Sequence, residues 1–292
     1  MARKRGARAG GLARVIRSAG ARVVIPVHDG FETLGACLAS VAASLPEGVE
    51  VELVDDASRD ERVPPLLERA AARPGWRLER QPANLGFVAT VNAAFARAPG
   101  DTLLLNSDTV ATRGFFERMT ACAASDPRIA TVTPFSNNAE ICSLPAFCSA
   151  NPIPDDPELV ARAAVEAGPP EYPELPTAVG FCMLVRRTAL DAIGDFDVAT
   201  FGAGYGEEND FCLRARAHGW RNVLCDDAYV AHVGGQSFGA LGLKPGGDNL
   251  ARLVARYPHY NRLVAEFIAA DPLAPRRARI QARLDQARNR TP

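Results

Sequence analysis

Apolar positions along the chain change their period several times, and the changes predict alternating strands and helices. "RVVIPV" (22–27) is a short β-branched run closed by "HDG", after which Phe31, Leu34, Leu38 and Val41 recur at helical spacing. "VEVELVDD" (49–56) reads as the next strand, and "SRDERVPPLLERAA" (58–71) as a helix with Ser58 for its N-cap. The unit repeats in "WRLERQ" (76–81), in a helix capped by Asn84 that carries Val88, Val91 and Phe95, and in "DTLLLN" (101–106). The unbroken apolar centre of that last strand suits burial on both faces. From Phe135 to Pro176 prolines accumulate and periodicity fades, apart from a helical piece near 156–167, which predicts a long surface excursion. Patterning returns with a strand in "TAVGFCMLVRR" (177–187), whose Gly180 would let a ligand approach the backbone. A glycine-rich loop "FGAGYG" (201–206), a helix in "EENDFCLRARAHGW" (207–220), a strand "AYVAHVGG" (228–235) and two or three amphipathic helices from Asp248 onward complete the chain.

Such alternation predicts an α/β fold: a parallel sheet with helices on both faces. Ligands bind outside the carboxyl ends of the strands in these sheets. Here those ends read His28-Asp29, Asp55-Asp56 and Asn106-Ser107-Asp108, so three strands bring acidic or amide groups to one edge. In "LLLNSDT" (103–109) the side chains of Asn106 and Asp108 point the same way on an extended chain, where a cation could sit, although such a cluster also makes an ordinary turn. No G-x-G-x-x-G follows the first strand, which argues against a dinucleotide-binding oxidoreductase. Glu207, Glu208 and Asp210 open the helix at 207, a placement the helix dipole favours by itself. His232 ends the last strand, where a lone histidine is ordinarily a packing residue.

Composition narrows the classes. With 292 residues, 47% hydrophobic and 23% charged, the chain suits one large α/β domain, alone or with an appendage. A net charge of −1 provides no global field for nucleic acid. The ends are locally basic, with Arg3, Lys4, Arg5, Arg8, Arg14 and Arg17 in front and Arg276, Arg277, Arg279, Arg283, Arg288 and Arg290 behind. They read as solvated tails, with a peripheral dock for anionic lipid headgroups at the inner face of the membrane as the alternative. No secretory segment and no apolar run of roughly 18 residues occurs, so a cytoplasmic location is expected. Seven cysteines, an odd number without any C-x-x-C pair, read as reduced and mostly buried thiols.

The ordered set "VVIPVHDG", "LVDDASRD", "NLGFVATVN", "LLLNSDT", "GFCMLVRR", "IGDFD", "GEENDFCLRARAHGW" and "AHVGGQS" resembles the family 2 inverting glycosyltransferases, and among them the rhamnosyltransferase-like branch. The resemblance spans about residues 21–240 and implies the GT-A fold, a Rossmann-like mixed, mainly parallel sheet. It implies a GT-A domain (21–240), outside which the charge and the apolar pattern leave a basic leader (1–20) and a C-terminal helical extension (241–292). The domain would comprise a nucleotide-sugar-binding half (21–134), the excursion (135–176) and an acceptor and catalytic half (177–240). The implied reaction moves a sugar from a dTDP- or UDP-sugar donor, with Mn²⁺ or Mg²⁺, to a hydroxyl of a glycan, a lipid-linked saccharide or a protein.

Carried over residue by residue, Pro26, His28 and Asp29 match the loop against the nucleotide, Asp55 and Asp56 the pair on base and ribose, and Asn84 a further nucleotide-site residue. Asn106-Ser107-Asp108 stands where the family has D-x-D, which makes Asp108 the main metal contact and leaves Asn106 to act through its carbonyl or a water. His232 matches a histidine that completes metal coordination. "EEND" matches the family's E-D-x-D, with Glu208 as general base and Asp210 as the second acid. A divalent cation would neutralise charge on the leaving diphosphate, and inversion needs one carboxylate to take the acceptor's proton. Two other classes stay open: a nucleotidyltransferase of related fold, for which "PVHDGFETL" lacks a phosphate loop, and a silent sugar- or partner-binding module, for which retention of Glu208 is unexpected.

Overall fold

The computed structural model describes residues 20–234 and 247–289. Its first half runs β1 (Arg22–Val27), α1 (Phe31–Ser44), β2 (Val51–Asp55), α2 (Val63–Ala71), β3 (Trp76–Arg80), α3 (Phe87–Arg97) and β4 (Thr102–Leu105). There follow β5 (Thr109–Ala111), α4 (Phe115–Ser125), β6 (Ile129–Phe135), a 3₁₀ turn (Glu140–Cys142), α5 (Pro157–Glu166) and β7 (Cys182–Val185). The last part holds α6 (Arg187–Ile193), α7 (Val198–Phe201), α8 (Glu207–Ala217), β8 (Arg221–His232), α9 (Asp248–Arg256), α10 (Tyr260–Ala270) and α11 (Ala274–Arg288).

The strands form one sheet in the order β3-β2-β1-β4-β7-β6-β8-β5. β1 to β4 pair in parallel, as the βα alternation dictates, and β6 pairs with β8 in parallel. β7 runs antiparallel to β4 and β6, and β5 antiparallel to β8, so the sheet is mixed. The excursion after β6 explains the reversal. Cys182 of β7 pairs with Leu105, the last residue of β4, so the chain re-enters the sheet at the carboxyl edge rather than crossing over to the other end.

Period-two alternation fills two cores. Val23, Ile25 and Val27 of β1 and Leu103 and Leu105 of β4 face a cluster with α1, α2, α4, α5 and α11, whereas Val24 and Leu104 face a second with α3, α6, α8 and α9. Glu52 of β2 is 1% exposed and held by Arg22, Arg77 and Arg97, the pairing a buried carboxylate requires.

Three local expectations are corrected. Ser58 does not cap α2, because Pro64 and Pro65 place the helix start at Val63; its hydroxyl instead accepts the Asp29 N–H. Asn84 lies just ahead of α3, and its Oδ1 accepts the Gly86 N–H at 2.9 Å. The basic C-terminal stretch is docked in its first part, with Arg283 and Arg288 left exposed: Arg276 is 4% exposed, pairs with Asp226 at 3.1 Å and donates to the carbonyls of Ala164, Gly168 and Pro169, tying α11 to α5. Arg277 and Arg279 pair with Asp271 and Glu171. The leader from Arg3 to Arg17, and Arg290, lie outside the described residues. Within those residues no helix is long and apolar enough to cross a membrane. All seven cysteines are free thiols, six of them buried and Cys148 exposed.

Candidate active site

The strand ends do converge. β1 hands over to α1 through Asp29 and Gly30, both left-handed at φ 58° and 72°, a sharp turn that exposes His28 at the edge. His28 Nδ1 lies 2.9 Å from the Asp56 carbonyl, which only an N–H can satisfy, and Nε2 accepts from the Asn84 amide at 3.0 Å. The Asp56 carboxylate takes the N–H groups of Leu85 and Gly86 at 2.8 and 2.9 Å, so it orders the turn into α3. A Cβ at Gly86 would stand 3.0 Å from Ala203 Cα, so glycine here admits the 201–206 loop against the strand ends.

Between these parts lies a slot of ≈ 50 Å³ whose walls include Pro26, His28, Asp56, Asn84 and Asn106. It has room for a water or the edge of a base, not a whole nucleoside. Thr90 of α3, unremarked in the pattern of the sequence, is fully buried on this slot, and its hydroxyl has no hydrogen-bond partner. Asp29 and Asp55 do not reach the slot. Asp29 accepts the N–H groups of Arg59 and Asp60, and Asp55 accepts that of Ser58 and lies 3.7 Å from Arg80, so both brace the loop after β2.

The β5–β8 ladder builds the next group. Thr109 pairs with His232 in register, which sets Asp108 Oδ1 3.4 Å from His232 Nε2. Asp108 is 4% exposed, and its other oxygen accepts the Gly234 N–H at 3.2 Å. Phe181 stacks on the His232 ring at 5.0 Å. Asn137 and Asn138, which follow β6, fix the histidine. Asn137 exchanges side-chain hydrogen bonds with the His232 N–H and carbonyl at 2.8 and 2.9 Å, and the Asn138 carbonyl takes the Nδ1 proton at 2.7 Å. In the neutral ring Nε2 is then a lone-pair donor facing a carboxylate oxygen. Two acceptors at that separation fit adjacent ligands of one divalent cation, for which about 3 Å is expected from metal–ligand bonds of ~2.1 Å. No group of three or more potential ligands occurs among the described residues, so remaining positions would fall to substrate oxygens or water.

Beyond this pair opens a larger cavity of ≈ 860 Å³, into which Glu140, Tyr205, Glu208, Asn209 and Tyr260 project. Glu208 sits in the first turn of α8, its carboxylate accepting from the Gly206 N–H at 3.1 Å and the Asn209 amide at 3.0 Å. Burial, and then the charge of Glu140, raises its pKa above the usual carboxylate value. Neighbouring Glu207 is 3% exposed with an unpartnered Oε2, and burial together with Glu208 raises its pKa well above the ordinary value. Ala203 is common to the walls of slot and cavity.

Asp210 is not in the cavity. It is fully buried on the opposite side of α8's first turn, bonded to Arg214 at 2.8 Å, Arg256 at 2.7 Å and the Tyr257 hydroxyl at 2.9 Å. Its carboxylate clamps α9 to α8, away from the cavity walls to which the expectation of a second acid would assign it. Thr90, Asn137, Asn138 and Glu140 are additions. "FSNNAE" was readable as a fourth strand end rich in amides, since β6 ends at Phe135; Thr90 gave no such signal.

The glycosyl transferase family 2 model matches residues 22–194. Uncharacterised proteins of Mycobacterium bovis and Mycobacterium tuberculosis are each 28% identical over 214 residues, which is 73% of this chain and 73% of theirs. Among solved structures, GalNAc-T7 with UDP, GalNAc and Mn²⁺ superposes with a TM-score of 0.63 at 16% identity, over 90% of this chain and 54% of that one. The chain thus spans about half the length of GalNAc-T7. S. aureus TarS with UDP-GlcNAc gives a TM-score of 0.58 at 16% identity, over 85% of this chain and 71% of that one. Mannosyltransferase PcManGT of Pyrobaculum calidifontis with GDP-Man and Mn²⁺ gives 0.54 at 15% identity, over 94% and 76%. With its family model spanning most of the sheet and its mixed sheet shared with these neighbours, the chain belongs to glycosyl transferase family 2 and has the GT-A fold.

Proposed function

We propose that the protein is an inverting, metal-dependent glycosyltransferase that takes a sugar from a nucleoside-diphosphate donor to a hydroxyl acceptor. The observation that carries the reading is the shared wall at Ala203: the slot made by the strand ends and the cavity holding Glu208 meet there, and a reaction joining two substrates needs such an arrangement. His28, Asn84 and Asn106 would meet the nucleoside at the mouth of the slot. Asp108 and His232 would hold Mn²⁺ or Mg²⁺, and the ion would neutralise charge gathering on the leaving diphosphate. Neighbours carrying UDP, UDP-GlcNAc or GDP-Man with Mn²⁺ support a donor of this class and leave dTDP against UDP open.

Glu208 is assigned as the base. Its carboxylate takes the acceptor's hydroxyl proton as that oxygen attacks the anomeric carbon, and the nucleoside diphosphate departs from the opposite face, so configuration inverts. The Gly206 N–H and the Asn209 amide hold the carboxylate in one orientation before reaction. A panel of UDP, dTDP and GDP, titrated calorimetrically with Mn²⁺ or EDTA, tests the donor and metal assignments. Single-turnover transfer by Glu208→Gln tests the base: donor affinity is expected to persist while transfer falls by at least ~10²-fold. Transfer at the native rate would remove Glu208 from that role.

A further inference from the structure

The cavity in front of Glu208 has two chemistries. The 3₁₀ turn and the head of α8 contribute Glu140, Glu208 and Asn209, all able to bond hydroxyls, and α9 and α10 contribute Leu253, Val264 and Ile268. None of α10's residues is buried, and Val264 and Ile268 lie one turn apart on it, with Ile268 40% exposed. Together with Leu253 they give the cavity an apolar wall.

Charge decides what else the ligand carries. Glu140, Glu208 and Asp248 face the cavity with Arg252 as counter-charge. The Arg252 guanidinium already donates to the Thr200 carbonyl at 3.0 Å and to Asn249 Oδ1 at 2.7 Å. A phosphate would meet net repulsion, whereas sugar hydroxyls find carboxylate acceptors. The volume of ≈ 860 Å³ stands near the top of the ~300–1,000 Å³ range of small-molecule sites, more than one sugar ring fills. α9 and α10 lie beyond residues 22–194, so the apolar wall comes from this chain's own C-terminal extension.

We propose that the acceptor is an uncharged saccharide bearing an apolar aglycone, with Glu140 accepting a hydroxyl beside the one Glu208 deprotonates and the aglycone lying on Val264 and Ile268. The proposal rests on the transferase reading of the same site. Its test is saturation-transfer NMR and titration, with UDP and Mn²⁺ present, of n-octyl glycosides of glucose, mannose and N-acetylglucosamine below micelle concentration. The free monosaccharides and the hexose 1-phosphates serve as comparators.

At least one octyl glycoside is expected to bind ~10-fold or more tightly than its free sugar, the worth of burying about two methylenes, and the sugar phosphates more weakly than either. Ile268→Glu, checked for folding by its thermal midpoint, should bring the octyl-to-free ratio near one. Glu140→Gln should raise acceptor KM about fivefold or more with a smaller change in kcat, and Glu140→Asp should recover part of the loss. Octyl glycosides no better than free sugars, or phosphates binding best, would overturn the proposal. Mn²⁺-dependent hydrolysis of UDP-glucose, UDP-GlcNAc or dTDP-rhamnose needs no acceptor and reads the transferase assignment separately. Octyl preference without hydrolysis would keep an apolar glycoside as the ligand of this cavity and count against the transferase reading; hydrolysis without octyl preference would do the reverse.

Discussion

Replacing Asp210 by Asn separates a structural acid from a chemical one. The carboxylate is fully buried and bonds two guanidinium groups and a phenol, all within 2.9 Å. The amide keeps one acceptor oxygen but turns an N–H₂ towards a donor, and it leaves Arg214 without its counter-charge and Arg256 with Asp197 alone. Breaking a buried pair costs about 3–5 kcal/mol when the survivor stays buried. Arg214 and Arg256 are 22% and 38% exposed at their side chains and can turn partly to water, so a loss of ~2–4 kcal/mol is the better figure. At roughly 2 °C per kcal/mol for a chain of this size, the melting temperature should fall by about 4–8 °C. Scanning calorimetry would measure the shift, and turnover of the folded fraction well below the transition should stay within about tenfold of native. A midpoint within ~1 °C of native, combined with a loss of transfer beyond ~10²-fold, would refute the reasoning and return Asp210 to the reaction.

Three further outcomes are expected. Because burial and Glu140 both raise the Glu208 pKa and the base acts ionised, kcat/KM should fall as pH drops through that raised value; Glu140→Gln removes a like charge and should move this acid limb to lower pH, which a pH–rate profile reads. Glu207 holds its proton to higher pH when folded than in the unfolded chain, so its contribution to stability is whole below about pH 4.3 and is lost as pH rises through the raised folded value; Glu207→Gln should therefore melt higher than native at pH 8 and alike at pH 4, by fluorimetry. His232→Ala should lower Mn²⁺-supported UDP affinity by ~10-fold or more and leave binding in EDTA unchanged, as calorimetry would record.

The slot at the strand ends was legible because it depends on local chain geometry. A strand that stops at Asp55 or Leu105 must deliver the residues just after it, Asp56 or Asn106 to Asp108, to the carboxyl edge of the sheet, whatever else the chain does. What the pattern could not carry was the direction each acid takes afterwards. Asp29 and Asp55 stand at the right edge yet turn into the loop after β2, because the N–H groups of Ser58, Arg59 and Asp60 are there to be satisfied. Asp210 was assigned by alignment with a family motif, and its partners Arg256 and Tyr257 come from a helix in which no chemistry was visible by sequence. The 135–176 excursion hid Asn137, Asn138 and Glu140 for the same reason: their meaning is a contact remote along the chain, with β8 for the two asparagines and with the cavity of Glu208 for Glu140.

The register between β5 and β8 bears on how this chain tolerates change. Asp108 and His232 meet only because Thr109 stands opposite His232, and successive residues of a strand face opposite sides. One residue gained or lost within 109–111, or near the end of β8, would turn the imidazole to the other face, whatever the residue's identity. Conservative substitution there is survivable, whereas an insertion or deletion is not. The exposed turn at Glu47 and Gly48, between α1 and β2, has no ladder to keep, so length variants made along the chain should accumulate there and vanish from the three residues of β5.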